Sequence, residues 1–278
     1  MARAENKETA SPTAQMVAEM ARAMRIKRQW TQEELGTEIG YSAAAVSAME
    51  TNAQPASDAM LVALHRVFHE SADFFETARR YVRMEKYPQQ FQDYALLEEA
   101  AVGLQLYATN VIHGLFQTEA YARALIGGGY PPLSDQRVEE LVEMRMVRKA
   151  IFDREPAALI ELVLEESALT RGIGSKEVMR EQMRYLAEYA RRRNVTLQVL
   201  PLDAGFGGEY AAGHGGLSVV ETSDHQYLIY LEVQEESWTL SDPAKVSTYA
   251  QRCAKIRAQA MGPRESLGLI ERLAGDRV

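Results

Sequence analysis

The chain has 278 residues, of which 46% are hydrophobic and 25% charged, and its formal net charge is -8 at pH 7. This composition is typical of an ordinary globular protein with room for two domains, and no apolar run reaches the ~20 residues of a bilayer-spanning helix. The single cysteine, Cys253, excludes an intramolecular disulfide, and the polar N-terminus lacks the apolar core of a secretory signal, so we expect a cytoplasmic protein.

The net charge also limits how the chain can meet nucleic acid. An overall charge of -8 repels phosphate, so any contact with DNA must come from a local patch.

Three regions follow from the pattern along the chain. Residues 1–12 show no periodicity and are predicted to be a flexible tail. Residues 13–82 show helical periodicity throughout and are predicted to form an all-α helix-turn-helix domain of about five helices. Residues 83–278 mix helical and strand patterns and are predicted to form a larger α+β domain for regulation, dimerisation or partner binding.

The second predicted helix begins and ends on clear signals. Thr31, with Glu34 three residues later, is a capping box that starts a helix. Gly40 tolerates the positive φ of a helix end, so the helix is expected to stop there. Gly36 is the small residue that two short helices need where their backbones cross at a steep angle.

A third helix follows the turn at once. Ser42 is its expected N-cap, and the helix runs over Ala43–Glu50 with mainly small residues. A fourth helix is predicted from Ser57 or Asp58, and a fifth over Asp73–Val82. Five helices in this order favour a DNA-binding helix-turn-helix over a plain helical hairpin.

The second region gives two sets of predicted elements. Strands are predicted where β-branched and aromatic residues concentrate, at Ala158–Leu164, Val195–Leu202, Leu217–Glu221 and Tyr227–Val233. Helices are predicted at Asp135–Phe152, Lys176–Arg193, Pro243–Ala260 and Pro263–Leu273. The order lacks a strict alternation of strand and helix.

Residues 14–69 resemble the Cro/C1-type (XRE) helix-turn-helix family. The resemblance implies that Gln32 touches phosphate and that the first turn of the third helix reads bases. The candidate DNA-contacting residues are Thr31, Gln32, Ser42, Ala43, Ala44, Ser47, Thr51, Asn52, Arg25 and Arg28.

Two features of this region limit DNA binding by a single copy. Ala43 and Ala44 offer methyl contacts to thymine but no bidentate hydrogen bond. Specificity is then expected to come from Thr51, Asn52 and Gln54, from dimer spacing or from DNA shape. Residues 14–69 contain five Lys or Arg against six Asp or Glu, so we expect a dimer to be needed. The arginines and lysine at 22–28 either bind phosphate or form a solvated helix face.

The remainder of the chain has a resemblance of its own. Gly114–Ala124, Val195–Leu202, Ser241–Ala244 and Glu265–Leu267 resemble the signature segments of actinobacterial Cro/C1-type regulators with a toxin–antitoxin-like (WhiJ-like) C-terminal domain. The resemblance covers about residues 14–275. It implies a small partner protein encoded by a neighbouring gene, and it identifies no chemical effector.

No motif predicts catalysis. The glycine-rich segment 205–216 lacks the spacing of a phosphate-binding loop, and His214, Asp224 and His225 are expected at the surface. We therefore predict no catalytic residue, no metal site and no cofactor.

Two readings of function remain. The first is a homodimeric, sequence-specific transcriptional regulator that binds a double-stranded DNA operator and does not associate with membranes. The alternative is an antitoxin-like protein-interaction module in which DNA binding is secondary.

Overall fold

The computed structural model describes residues 11–85, 87–234 and 236–275. The chain divides into two compact units, residues 1–86 and 87–278. Most of the predicted flexible tail, residues 1–10, lies outside the described residues. Pro12 already belongs to the first helix, one residue before the start expected at Thr13, because Ser11 accepts a hydrogen bond from the amide of Ala14 and caps the helix.

The predicted helical N-terminal region is confirmed. Its α-helices within the described residues are α1 (Pro12–Lys27), α2 (Gln32–Ile39), α3 (Ala43–Glu50), α4 (Asp58–Val67) and α5 (Ala72–Met84). Helices α1 to α4 each begin after a serine or threonine whose side chain accepts a backbone hydrogen bond from the first turn. These caps explain why the helix starts could be located from the sequence.

The turn between α2 and α3 depends on two glycines. Gly40 has a φ of 76°, in the left-handed region, and ends α2. At Gly36 the backbone of the following turn comes so close that a Cβ atom would lie 2.5 Å from the carbonyl oxygen of Tyr41. The amide of Tyr41 donates a 2.8 Å hydrogen bond to the Gly36 carbonyl oxygen. The crossing of the two helices therefore requires a residue without a side chain at position 36.

The second unit is built on one mixed sheet. Its strands are β1 (Gly103–Ala108), β2 (Leu159–Glu165), β3 (Val195–Leu200), β4 (Leu217–Glu221), β5 (Tyr227–Val233) and β6 (Glu236–Leu240), in the order β3-β2-β1-β4-β5-β6. Strands β1, β2 and β3 are parallel, whereas β4, β5 and β6 pair in antiparallel fashion. The sheet changes from parallel to antiparallel between β1 and β4.

Helices cover this sheet. They are α6 (Gln89–Ala100), α7 (Glu119–Gly127), α8 (Asp135–Val147), α9 (Glu166–Thr170), α10 (Lys176–Tyr189), α11 (Pro243–Gln259) and α12 (Pro263–Ala274). Alternate strand residues serve two cores: Leu162 and Leu164 of β2 belong to the larger one, and Val163 belongs to the smaller one with the buried Cys253.

The sequence missed five of these elements and misplaced some ends. Strands β1 and β6 and helices α6, α7 and α9 were not predicted. The largely exposed β6 lacks an apolar alternation. The predicted helix Asp135–Phe152 leaves α geometry after Val147 and continues as a 3₁₀ helix over Arg148–Phe152. In the described part of the chain, no helix is both long and apolar enough to cross a membrane.

Replacing Gly36 with alanine should lower the free energy of unfolding of the first unit by about 2 kcal/mol, since the new side chain overlaps backbone that cannot move freely. Gly40→Ala is the matched control. Nothing lies within 4 Å of a Cβ at position 40, so only the positive φ opposes it, at about 1 kcal/mol.

Urea unfolding followed by Trp30 fluorescence in a Trp238→Phe background reports on this unit. Equal losses for the two variants would contradict the close approach at Gly36.

Candidate DNA-binding surface

The first turn of α3 is open to solvent. Ser42, Ala43 and Ala44 are exposed, whereas Val46 and Met49 are buried and hold the other face of the helix in the core. Ser47 is half-buried. The predicted base-reading positions therefore form one accessible surface of small side chains that backbone and bases can approach closely.

Ser42 keeps a free donor at this surface. Its Oγ accepts a 3.2 Å hydrogen bond from the amide of Ala45, so the hydroxyl hydrogen remains available for a phosphate oxygen. Thr31 does not, because it donates its hydroxyl to Glu34 Oε2 at 3.0 Å within the capping box. Of the two predicted cap residues, Ser42 is the better placed to donate.

Glu50 joins three helices through a network that the sequence did not reveal. Arg25 of α1 donates to Glu50 from Nε at 2.6 Å and from Nη2 at 2.9 Å, and the side chains of the two residues are only 12% and 2% exposed. Gln32 of α2 donates from Nε2 to Glu50 Oε2 at 2.9 Å. A third Arg25 nitrogen, Nη1, donates to the Trp30 carbonyl oxygen at 2.7 Å.

This network changes the roles expected for Arg25 and Gln32. All three guanidinium nitrogens of Arg25 donate inside the protein, so Arg25 orients the helices, and its phosphate contact stays a prediction. Gln32 donates one hydrogen of its amide nitrogen to Glu50 and keeps the other, so its phosphate contact also stays a prediction. A signal for Glu50 existed, because it lies one helical turn after the buried Val46, on the inner side of α3.

The guanidinium group of Arg28 also has partners inside the protein. Its Nη2 donates to Glu70 Oε2 at 2.7 Å, and its guanidinium lies 4.9 Å from the centroid of Trp30 and 5.0 Å from that of Phe68. In contrast, Arg22 and Lys27 are exposed and form no hydrogen bond or ion pair with the residues that the structure describes. The basic charge left for phosphate in α1 is therefore that of Arg22 and Lys27.

The segment after α3 contains two further candidates. The Thr51 hydroxyl donates to the Ser47 carbonyl oxygen at 2.7 Å and is committed to the helix end. Asn52 has a φ of 55°, and its buried Oδ1 lacks a hydrogen-bond partner among the described residues. The left-handed backbone at Asn52 turns the chain out of α3. Thr51 is exposed like Ser42, Ala43 and Ala44, whereas Asn52 is half-buried.

No group of three or more histidine, cysteine or acidic side chains that could hold a metal ion occurs in the parts of the chain that are described.

Two family models match the sequence. One, described as a helix-turn-helix, matches residues 22–75, which span α2 and α3 with their flanking helices. The other, described as a domain of unknown function (DUF5753), matches residues 91–272. Neither a curated protein nor a solved structure matches the chain. The helix-turn-helix match agrees with the XRE-type resemblance of the N-terminal region, whereas the WhiJ-like, toxin–antitoxin character of the second region stays a prediction.

Replacing Glu50 with glutamine should lower the free energy of unfolding of the first unit by about 3 kcal/mol, because it leaves a buried guanidinium without its counter-charge. Glu70→Gln is the control: it removes the same kind of partner from the more exposed Arg28, and should have little effect. Urea unfolding of both variants measures the difference.

The Glu50 contribution should also depend on pH. Burial alone would raise the pKa of Glu50, but hydrogen bonds from Arg25 and Gln32 and the Arg25 charge outweigh it and lower that pKa. The wild-type advantage over Glu50→Gln should be complete above the ordinary glutamate pKa of about 4.3 and be lost as the pH falls through the lowered folded-state value. A difference that does not change with pH would contradict the ion pair.

Proposed function

Because the chain belongs to the DUF5753 family and carries a helix-turn-helix ahead of that domain, we propose that it is a sequence-specific DNA-binding transcriptional regulator. The helix-turn-helix itself suggests a DNA-binding regulator. The finer proposal is that α3 enters the major groove with its first turn against the bases, and that α2 lies over the phosphate backbone.

One observation carries this proposal. The exposed first turn of α3 has only small side chains, and the Arg25–Glu50–Gln32 network fixes the helix behind it. Ala43 and Ala44 can place methyl groups against thymine methyl groups, while Ser42 donates to a phosphate oxygen. Besides Arg25 and Arg28, Arg22 and Lys27 are proposed sources of positive charge toward phosphate.

Dimerisation is part of the proposal. Five basic residues against six acidic ones over residues 14–69 give weak attraction to phosphate for one copy. Two copies on one operator double the contacts, and their half-sites should lie about one helical turn apart. We propose that the second unit supplies the dimer contact.

The alternative reading, an antitoxin-like module that binds a small protein encoded by a neighbouring gene, has its own support. Strand β6 lies at the edge of the sheet, next to β5 only. Three large side chains on or near this edge are exposed: Val233 at 58%, Trp238 at 49% and Tyr227 at 45%. Exposed apolar and aromatic groups beside an open strand edge suit a protein partner.

DNA binding can be tested without a known operator. Fragments tiled across the neighbourhood of the gene are titrated with the protein by fluorescence anisotropy at two salt concentrations. We expect one tight, footprinted site above a weak and salt-sensitive background. Negligible binding to every fragment at low salt would contradict the proposal and favour the partner-binding reading.

Ala43→Glu should weaken binding to that site at least ~10-fold, because a carboxylate in the groove repels phosphate. Glutamate in the first turn of a helix favours the helix dipole, so folding should be retained. Thr77→Glu adds the same charge at an exposed position of α5 and serves as the control. An equal effect of both variants would show that α3 does not lie in the groove.

A further inference from the structure

A cavity of about 470 Å³ lies within the second unit. It opens where β1 ends and β4 begins, so it sits at the boundary between the parallel and antiparallel halves of the sheet. Crevices at the carboxyl ends of parallel strands, where the order of the sheet reverses, are common ligand sites. The volume lies within the range of small-molecule pockets.

One wall of the cavity is aromatic. Tyr94 and Tyr230 stack with their ring centroids 3.9 Å apart, and Phe91 meets both rings edge-on, at 5.3 Å and 6.3 Å. All three residues line the cavity. Tyr94 is only 1% exposed, and its hydroxyl faces Ser218 and Glu98. This wall suits a flat or branched apolar group.

Two arginines face the same space, and they differ in their partners. Arg148 forms a bidentate pair with Glu98, with both nitrogen–oxygen distances at 2.7 Å. Arg145 donates from Nη1 to the neutral Gln117 Oε1 at 2.8 Å and forms no ion pair within the described parts of the chain. Burial and the nearby Arg148 charge lower the pKa of Arg145 to about 10, so Arg145 still carries its charge at neutral pH.

The other titratable groups do not neutralise Arg145. Glu232 and Glu98 both attract Arg145, but neither forms an ion pair with it among the described residues: Glu232 is exposed, and Glu98 pairs with Arg148. Burial, reinforced by the two arginine charges, lowers the pKa of His113 to about 3, so His113 is neutral and adds no negative charge. Arg145 is half-buried and faces the cavity without a carboxylate partner, so a bound anion would pair with its charge.

Gly114 leaves room for both guanidinium groups. A Cβ at this position would lie 2.9 Å from Arg148 Nη1 and 3.7 Å from Arg145 Nε. The backbone of the loop after β1 therefore passes directly beside the two arginines.

We propose that this cavity binds a small amphipathic acid, with a carboxylate or phosphate head on Arg145 and an apolar, ring-sized body against Phe91, Tyr94 and Tyr230. Arginine is suited to both head groups because its planar donors match paired anionic oxygens. This proposal goes beyond DNA binding and does not depend on whether α3 contacts DNA.

The test compares three probes of one shape by titration calorimetry at pH 7.5 on the full chain. They are 1-naphthylacetate, 1-naphthyl phosphate and the neutral 1-naphthylacetamide. We expect at least one of the two acids to bind at least ~10-fold more tightly than the amide. Whichever acid binds more tightly identifies the head group. Equal affinity for acids and amide, or no saturable binding of any probe at millimolar concentration, would overturn the proposal.

Variants at position 145 test whether Arg145 causes the preference for the acids. Arg145→Gln should abolish the preference for the acid, and Arg145→Lys should restore part of it. Arg137→Gln is the control, since it removes an arginine that pairs with Glu140 on the same helix, α8. Thermal unfolding checks that each variant folds. An acid preference that survives Arg145→Gln, or one that Arg137→Gln removes equally, would also overturn the proposal. The comparison of probes uses the unaltered protein and stands even if a variant fails to fold.

Discussion

The first unit depends on the buried contact between Arg25 and Glu50. Helix α3 has only eight residues, too few to be stable in water by itself, so its position is set by its packing. Glu50 receives hydrogen bonds from α1 and from α2, and the same arginine also holds the backbone at Trp30. The inner side of α3 therefore packs against the other helices of the first unit. Its exposed first turn is the surface that we propose for DNA.

Local signals in the sequence predicted the helices but not the contacts between them. Serine and threonine caps and Gly36 marked the starts and the turn, since each acts within a few residues of itself. Arg25 and Glu50 are 25 residues apart, and nothing in their spacing shows that they pair. For the same reason the cavity was not foreseen: Tyr94, Arg145 and Tyr230 come from α6, α8 and β5, and only the folded sheet brings them together.

The same electrostatic rule applies within each of the two units. A guanidinium removed from water needs an anion, and Arg25 and Arg148 each find a glutamate with bidentate geometry. Arg145 donates to a neutral amide and forms no ion pair within the described residues, although it faces a cavity with aromatic walls. The paired arginines hold elements of the fold together, whereas the unpaired one is available to a ligand. A regulator with such a site would have a place for a chemical signal as well as a surface for DNA.

The most direct test of the central claim is to map where α3 lies on DNA. A cysteine introduced at Ala44 carries an iron chelate that cuts nearby DNA, while the buried Cys253, whose pKa burial raises to about 11, stays unlabelled. On the fragment that binds most tightly, the account predicts two clusters of cuts about 10 base pairs apart, one for each copy of the protein. Cuts spread evenly along the fragment, or equal cutting from a chelate at Thr77 of α5, would contradict it.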